Sequence, residues 1–300
     1  MRQRKLGEIN QISRTSNVLL NILFIVVIAL FFIYPFFIII GSSLTDNKTI
    51  ILQGYNMIPQ QFSTEAYRYV FMKSSKIVHS YMVTILTTGV GTLLGVSMMA
   101  MYAYPISRPD LRYRRGFSLF AYITFIFSGG LVPWFFVYTK VLGLSNSYWV
   151  LIMPYLVNVW NIVILRTFFT SSIPQEVIES AKIDGAGEFR IFFNIVVHLA
   201  IPGLATIALF TTLVYWNDFQ LPLYFSREMK KYNIQYLLYS IMSNMEFMAQ
   251  DTRSVKIFDS PPVEAARMAM CVLGTGPMLI AYPFFQRYFV KGLTLGAVKG

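Results

Sequence analysis

The tightest cluster of chemistry-bearing side chains in this 300-residue chain is Glu179-Ser180-Ala181-Lys182-Ile183-Asp184-Gly185-Ala186-Gly187. It brings two carboxylates, an ammonium and a hydroxyl together without a base, nucleophile or metal set to use them. The whole chain has one cysteine, Cys271, and two histidines, so neither a disulfide framework nor a metal cluster is available. It has no G-x-x-x-x-G-K-[ST] loop to cradle phosphates, no H-E-x-x-H pair and no nucleophile–His–acid set. No catalytic residue, metal or bound cofactor is expected. A compact charged segment ending in a glycine suits a contact with something in the aqueous phase.

The elements around that cluster have their own signals. Ser172 through Gln175 reads as a capping box with Pro174 in the first turn, where a missing N–H costs little. A short helix is then predicted to about Asp184, and Gly185 offers the permissive backbone that ends it. Phe189, Phe192, Phe193 and Val196 repeat at i, i+3, i+4 and i+7, which predicts an amphipathic return helix. The whole is a polar helix–turn–helix inserted between two strongly apolar runs.

Those runs set the fold class. The chain is 55% hydrophobic and 13% charged, about half the charge of an average soluble domain. Six windows, 15–45, 77–107, 116–139, 141–165, 191–217 and 268–286, contain no Asp, Glu, Lys or Arg. Each matches or approaches the roughly 20 residues a helix needs to span a bilayer core. Six such windows exclude a soluble core and predict an all-α polytopic membrane protein with about six spans, near 17–41, 78–104, 117–138, 148–168, 196–222 and 268–289. The first window is too long for a signal peptide and is expected to be a retained span.

The net charge of +11 is an orientation signal rather than a nucleic-acid site. Arg2, Arg4, Lys5 and Arg14 precede the first span, and Arg108, Arg112, Arg114 and Arg115 crowd the link after the second. The positive-inside rule places both in the cytoplasm, and an even span count returns the C-terminus there. The domain division expected is a cytoplasmic tail at 1–16 and a membrane domain at 17–300 carrying the insert at about 171–197. Of two longer external segments, 42–77 is expected on the membrane surface. The other, about 223–267, is expected to hold a helix on which Ile234, Leu237, Leu238 and Ile241 share a face.

Glycine and proline interrupt three spans, at Gly129-Gly130 with Pro133, at Pro154, and at Gly274, Gly276 and Pro277. Such breaks persist in membranes where neighbouring helices or water re-satisfy the backbone. Gly91 and Gly95 form a small-xxx-small pair that allows close helix approach. Intramembrane carboxylates, the usual coupling groups of proton- or sodium-driven carriers, are nearly absent, with Asp218 at a span end. A transporter of this composition would draw its energy from another subunit.

Three motifs together carry a resemblance. Glu179-Ser180-Ala181 with Ile183-Asp184-Gly185-Ala186, then Phe189, Phe192, Ile195 and Pro202, resembles the EAA motif of binding-protein-dependent ABC importer permeases. Trp216-Asn217-Asp218 with Leu221-Pro222 is similar to the carbohydrate-uptake branch, as is the ending from Tyr282 to Gly292 and from Gly296 to Gly300. Within that branch the chain is most like the second maltose-type permease. Two positions depart from the pattern: Ser180 replaces the central alanine of the triplet, and His198 stands where a proline is usual. His198 is read as an interfacial histidine rather than a pH sensor.

The resemblance implies a multi-pass subunit of the bacterial cell membrane, surrounded by membrane lipid, that forms half of a sugar or oligosaccharide pathway. It implies a homologous second permease, two ABC ATPase subunits that use ATP and Mg, and an extracytoplasmic solute-binding lipoprotein. Glu179, Ser180, Ala181, Asp184, Gly185 and Ala186 would form the ATPase-coupling surface. Tyr155, Asn158, Trp160, Asn161, Trp216 and Asn217 are substrate-path candidates, because aromatic faces suit sugar C–H surfaces and amides suit hydroxyls. A permease for a polyol or peptide, or a self-sufficient carrier or channel, is the alternative.

Overall fold

The computed structural model describes residues 2–72, 74–250 and 261–297. Val298, Lys299 and Gly300 of the C-terminal motif, and part of the 223–267 segment, lie outside the described residues. In chain order the principal helices are α1 (Arg2–Ser43), α2 (Asn47–Gln53), α3 (Glu65–Phe71), α4 (Ser74–Ser107), α5 (Arg114–Ile126) and α6 (Leu131–Phe136). They continue with α7 (Val159–Ser172), α8 (Gln175–Ile183), α9 (Glu188–Leu199), α10 (Ile201–Trp216), α11 (Gln220–Phe225), α12 (Ile234–Gln250) and α13 (Val263–Ala297). No strand occurs among the described residues.

Three stretches, Asn21–Ser43, Lys76–Ser107 and Val263–Gln286, are long and apolar enough to cross a membrane. Three bent pairs bring the number to six: Arg114–Ile126 with Leu131–Val141, Trp149–Tyr155 with Val159–Ser172, and Glu188–Leu199 with Ile201–Trp216. The all-α, six-span architecture stands, but several spans differ from their expected form. The third turns by 108° after Ile126, so α5 alone runs straight and α6 departs sideways. Gly130, at φ +80, makes that corner. The fifth bends by 81° at Ala200, and α10 ends at Trp216 rather than continuing to 222. It ends there because Asp218 Oδ1 accepts the N–H groups of Gln220 and Leu221, at 3.0 and 3.2 Å, and so starts α11 instead.

The sixth span corrects an expectation in the other direction. Gly274, Gly276 and Pro277 do not break α13, which continues through Pro277 and Pro283. Pro277 has no N–H to give the carbonyl four residues back. Close by, the Gly274 carbonyl accepts Trp216 Nε1–H at 2.9 Å and Gln235 Nε2–H at 3.3 Å. These two bonds tie α13 to α10 and α12 in this stretch.

The described chain forms two compact units. In the unit built from 1–72 and 242–273, Asp46 caps α2 by accepting from the N–H groups of Lys48 and Thr49. Asn47 Oδ1 accepts the N–H groups of Glu264 and Ala265, capping α13 from far away in sequence. Tyr55 donates to Glu264 at 2.5 Å, and Arg267 bridges Glu264 and Glu246. The apolar side chains of α1 between Ile22 and Ile40 are largely exposed, as a helix facing lipid or another chain would be.

The unit built from 73–241 and 274–300 holds the larger core. Its axis is α4, which packs along α7 and α10. The Gly91–Gly95 pair serves that packing: a β-carbon at Gly91 would fall on the ring of Tyr215, and one at Gly95 would meet the Leu156 carbonyl at 3.0 Å. The expected face of α12 is buried here at Ile234, Leu237 and Leu238.

Candidate functional site

The turn that ends α8 explains the spacing of the motif. The Gly185 N–H bonds the Lys182 carbonyl at 3.0 Å, and the Ala186 N–H reaches back to the Ala181 carbonyl at 2.9 Å. These two bonds form a Schellman motif, whose left-handed position is Gly185 at φ +78. Ala181 is buried, and Ala186 packs against the same core, the apolar contact that accompanies this cap. The small residues are therefore a geometric requirement: Ala181 and Ala186 close the turn over the bundle, and Gly185 permits it.

Two local expectations are corrected. The capping box at Ser172 does not form, because α7 runs on through Ser172 to its C-cap at Ile173. Pro174 itself occupies the cap position of α8 with no side-chain cap. The return helix also buries a different stripe. Ile191, Phe192, Val196 and Ala200 are buried, whereas Phe189 is 80% exposed and Phe193 is exposed as well. A π-turn at Phe192–Val196 adds a residue to the local repeat and moves the apolar face off the i, i+3, i+4, i+7 register.

The insert is seated firmly on the bundle. Ile178, Ala181, Ile191 and Phe192 share one core with Met99, Ala103, Tyr104 and Ile106 of α4 and with Leu165 and Phe169 of α7. The Tyr104 ring meets Phe192 at 5.3 Å and Phe169 at 6.2 Å between centroids, joining the three elements. A four-membered ionic clasp lies beside this core. Arg108 binds Asp110 at 2.5 Å and approaches Glu188 at 3.6 Å, while Lys182 binds Asp110 at 3.0 Å and Glu188 at 2.8 Å. Arg108 also donates to the Tyr104 hydroxyl at 2.7 Å. The Arg108 guanidinium holds the Asp110 carboxyl down from 3.8 to about 2. Glu188 and then Asp110 hold the Lys182 ammonium above its ordinary value.

The outward face of the insert is unlike its base. Ile183 is 86% exposed and, with Phe189, flanks the turn with uncovered apolar side chains. Ser180 Oγ bonds the Glu176 carbonyl, and Gln175 Nε2 donates to Glu179 Oε1 at 2.8 Å. Ser180 in place of alanine is accommodated within its own helix. His198 is exposed on α9.

The six substrate-path candidates are not gathered in one place. Tyr155 donates to Asp218 Oδ1 at 3.1 Å, Asn158 caps α7 through the Asn161 N–H at 3.2 Å, and Asn161 is buried. Exposed Trp160 stacks on Phe125, and Asn217 Nδ2 donates to the Leu213 carbonyl. Trp216 alone lines a groove of about 620 Å³ that also presents Thr88, Thr92, Thr212 and Pro277. Thr92 and Thr212 hydroxyls lie 3.2 Å apart, and the buried Thr88 hydroxyl has no partner among the described residues. These threonines were missed in the sequence; hydroxyls at i and i+4 beside Gly89 in a span were the available signal. Asp218 also gains a role, because Asn233 Nδ2 donates to its carbonyl while the Ile234 N–H bonds Thr84 Oγ1. Asp218 thus serves as a structural anchor between the end of α10 and the start of α12.

Six spans, three of them bent, with a polar insert seated on the bundle between the fourth and fifth, fit a membrane transport component. The family model described as binding-protein-dependent transport system inner membrane component matches residues 3–295, and the chain belongs to that family. It is 38% identical over 278 residues to the polygalacturonan/rhamnogalacturonan transport system permease protein YtcP of Bacillus subtilis (strain 168), covering 92% of this chain and 96% of that one. It is 34% identical over 282 residues to protein LplC of the same organism, covering 93% and 94%. A solved bacterial ABC transporter involved in the import of the acidic polysaccharide alginate contains a similar chain, with TM-score 0.72 and 26% identity over 90% of this chain and 95% of that one. The chain is thus a multi-pass protein of the bacterial cell membrane.

Proposed function

We propose that this chain forms half of the translocation pathway of an ATP-driven importer of sugars or oligosaccharides and couples to ATPase subunits through α8. The observation that carries this reading is the two-sided insert. Its base is fixed to α4 and α7 by the shared core and the ionic clasp, while Ile183 and Phe189 stand uncovered on its outer side. An element seated that way transmits displacement: a partner that moves α8 moves the inner ends of two spans with it. The partners would be a homologous permease, two ATPases that use ATP and Mg, and a solute-binding lipoprotein, with both termini and the insert in the cytoplasm. For nucleotide to switch the pathway, its binding must favour one bundle state over the other.

Carbohydrate as the cargo rests on the named relatives, which serve polygalacturonan, rhamnogalacturonan and alginate. Reconstitution in liposomes with the second permease, the ATPases and the lipoprotein tests the reading. Uptake of the lipoprotein's own oligosaccharide is expected only with ATP inside and all four components present. Sugar flux through this chain alone, without ATP, would establish a channel or carrier instead.

A further inference from the structure

We propose that Arg114, Arg115 and Arg166 form a binding site for the phosphate of an anionic membrane phospholipid. The three arginines line one cavity of about 330 Å³ together with Ser118, Leu119 and Tyr122. Arg114, Ser118 and Tyr122 follow at i, i+4 and i+8 on α5, so they share a face, and Arg166 meets them from α7. None of the three arginines has a carboxylate within ion-pair distance among the described residues. Arg108 and Lys182 nearby are both fully engaged in the clasp.

Two facts make the missing counter-charge a lipid phosphate. Arg166 belongs to a membrane-crossing element and, like Arg114, is only partly exposed. Cationic groups at membrane depth are costly unless paired or facing water. The outer surface of α5 beside the cavity is apolar and uncovered at Leu119, Phe120 and Ile123, which offers acyl chains a place to lie. Guanidinium groups bind phosphate oxygens through bidentate hydrogen bonds. Basic pockets between membrane helices on the cytoplasmic side are suited to anionic headgroups. Arg114 also lines the adjoining cavity with Ser172, Pro174 and Gln175, so the bound phosphate sits beside the start of α8.

The test reads lipid retention and does not depend on transport. The full-length protein, purified with its partner subunits in detergent, is equilibrated with mixed phosphatidylcholine and phosphatidylglycerol, and retained lipid is counted by native mass spectrometry. Phosphatidylglycerol is expected to be held in preference. Each single Arg→Gln change at 114, 115 or 166 is expected to weaken retention about fivefold, and the triple change about a hundredfold. Arg166→Lys, which keeps the charge, should retain binding and shows that the fold tolerates change there. Arg112→Gln should alter nothing, because Arg112 lies over the Tyr113 ring outside the cavity. Wild-type retention in the triple variant would overturn the site. An equal loss with Arg112→Gln would mean diffuse surface charge, and displacement of the lipid by inorganic phosphate would mean a free-anion site; either result rejects the proposal.

Discussion

The Lys182 ammonium lies 3.0 Å from the Asp110 carboxylate, across 72 residues of sequence. This contact joins the last turn of α8 to the link that follows α4, and Arg108 and Glu188 complete it on either side. Its members are unequal. The Arg108 side chain is 11% exposed and binds Tyr104 as well as two carboxylates, whereas Lys182 is 38% exposed. Arg108→Met is expected to destabilise the complex by about 1.5–3 kcal/mol, the range for hydrogen bonds to charged groups. Lys182→Met should cost about 0–1 kcal/mol, as an accessible ion pair does. Thermal unfolding of the purified complex checks the order, and equal midpoints for the two variants would show that the clasp is not centred on Arg108.

The same clasp has a defined pH window. The Asp110 carboxyl is lowered from 3.8 to about 2 by Arg108, so its contribution is fully present above the ordinary carboxylate value and is lost as pH falls through about 2. The stability difference between wild type and Asp110→Asn should therefore be constant from roughly pH 5 to 8 and shrink in more acid solution. Unfolding midpoints of the two proteins, measured side by side from neutral into acid solution, decide it. A difference that changes near neutrality would point to another titrating group.

Gly185 sits at φ +78 with open space where a β-carbon would go, so its substitution tests backbone strain without steric clash. Gly185→Val should cost more than the roughly 1–2 kcal/mol of a left-handed β-carbon, since a branched side chain adds to it. Uptake and binding-protein-stimulated ATP hydrolysis are expected to be lost while the protein remains in the membrane. Gly185→Asn, a residue that tolerates this region, should keep most of both. Wild-type activity in Gly185→Val would end the lever account of α8.

What was legible in the sequence was local. The Gly185 turn, the small pair at Gly91 and Gly95 and the apolar face of α12 all depend on residues within a few positions of one another. The clasp was not legible, because no spacing rule connects Asp110 with Lys182. The Phe189–Val196 stripe failed for a different reason: a π-turn changes the repeat on which periodicity arguments rest. Pro277 reads as a break from its residue type, yet α13 continues through it, and the Trp216 and Gln235 contacts that tie this stretch to its neighbours arrive from other helices. That the N–H of Trp216, a substrate-path candidate, is spent on α13 was not legible either.

Gly91 gives a packing prediction in the membrane core. Tyr215 is buried over it, with its hydroxyl held by the Ile152 carbonyl at 2.6 Å, so the ring cannot move aside freely. Gly91→Ala should lower stability by about 1–3 kcal/mol through overpacking. Combining it with Tyr215→Leu should recover part of that loss, because the smaller side chain vacates the space the new methyl needs. Unfolding of the single and double variants in detergent gives the coupling. Strict additivity of the two changes would mean that Gly91 and Tyr215 do not share the contact.

The last prediction concerns the uncovered side of the insert. Ile183 and Phe189 flank the Gly185 turn, and neither contributes to the core that seats α8 and α9. Changing them should therefore spare the fold of this chain and strike whatever covers them. Central apolar anchors of an interface commonly cost about 2 kcal/mol or more when removed, and placing a charge there adds a desolvation penalty. Ile183→Glu and Phe189→Glu are each expected to reduce co-purification of the ATPase subunits at least tenfold while leaving expression and the unfolding midpoint of this chain unchanged. Ile178→Glu, aimed into the buried core, is the contrasting variant and should unfold the insert itself. If both exposed-site variants still bring down a full complement of ATPase, the partner does not dock on this face of α8 and the coupling assignment has to move elsewhere on the insert.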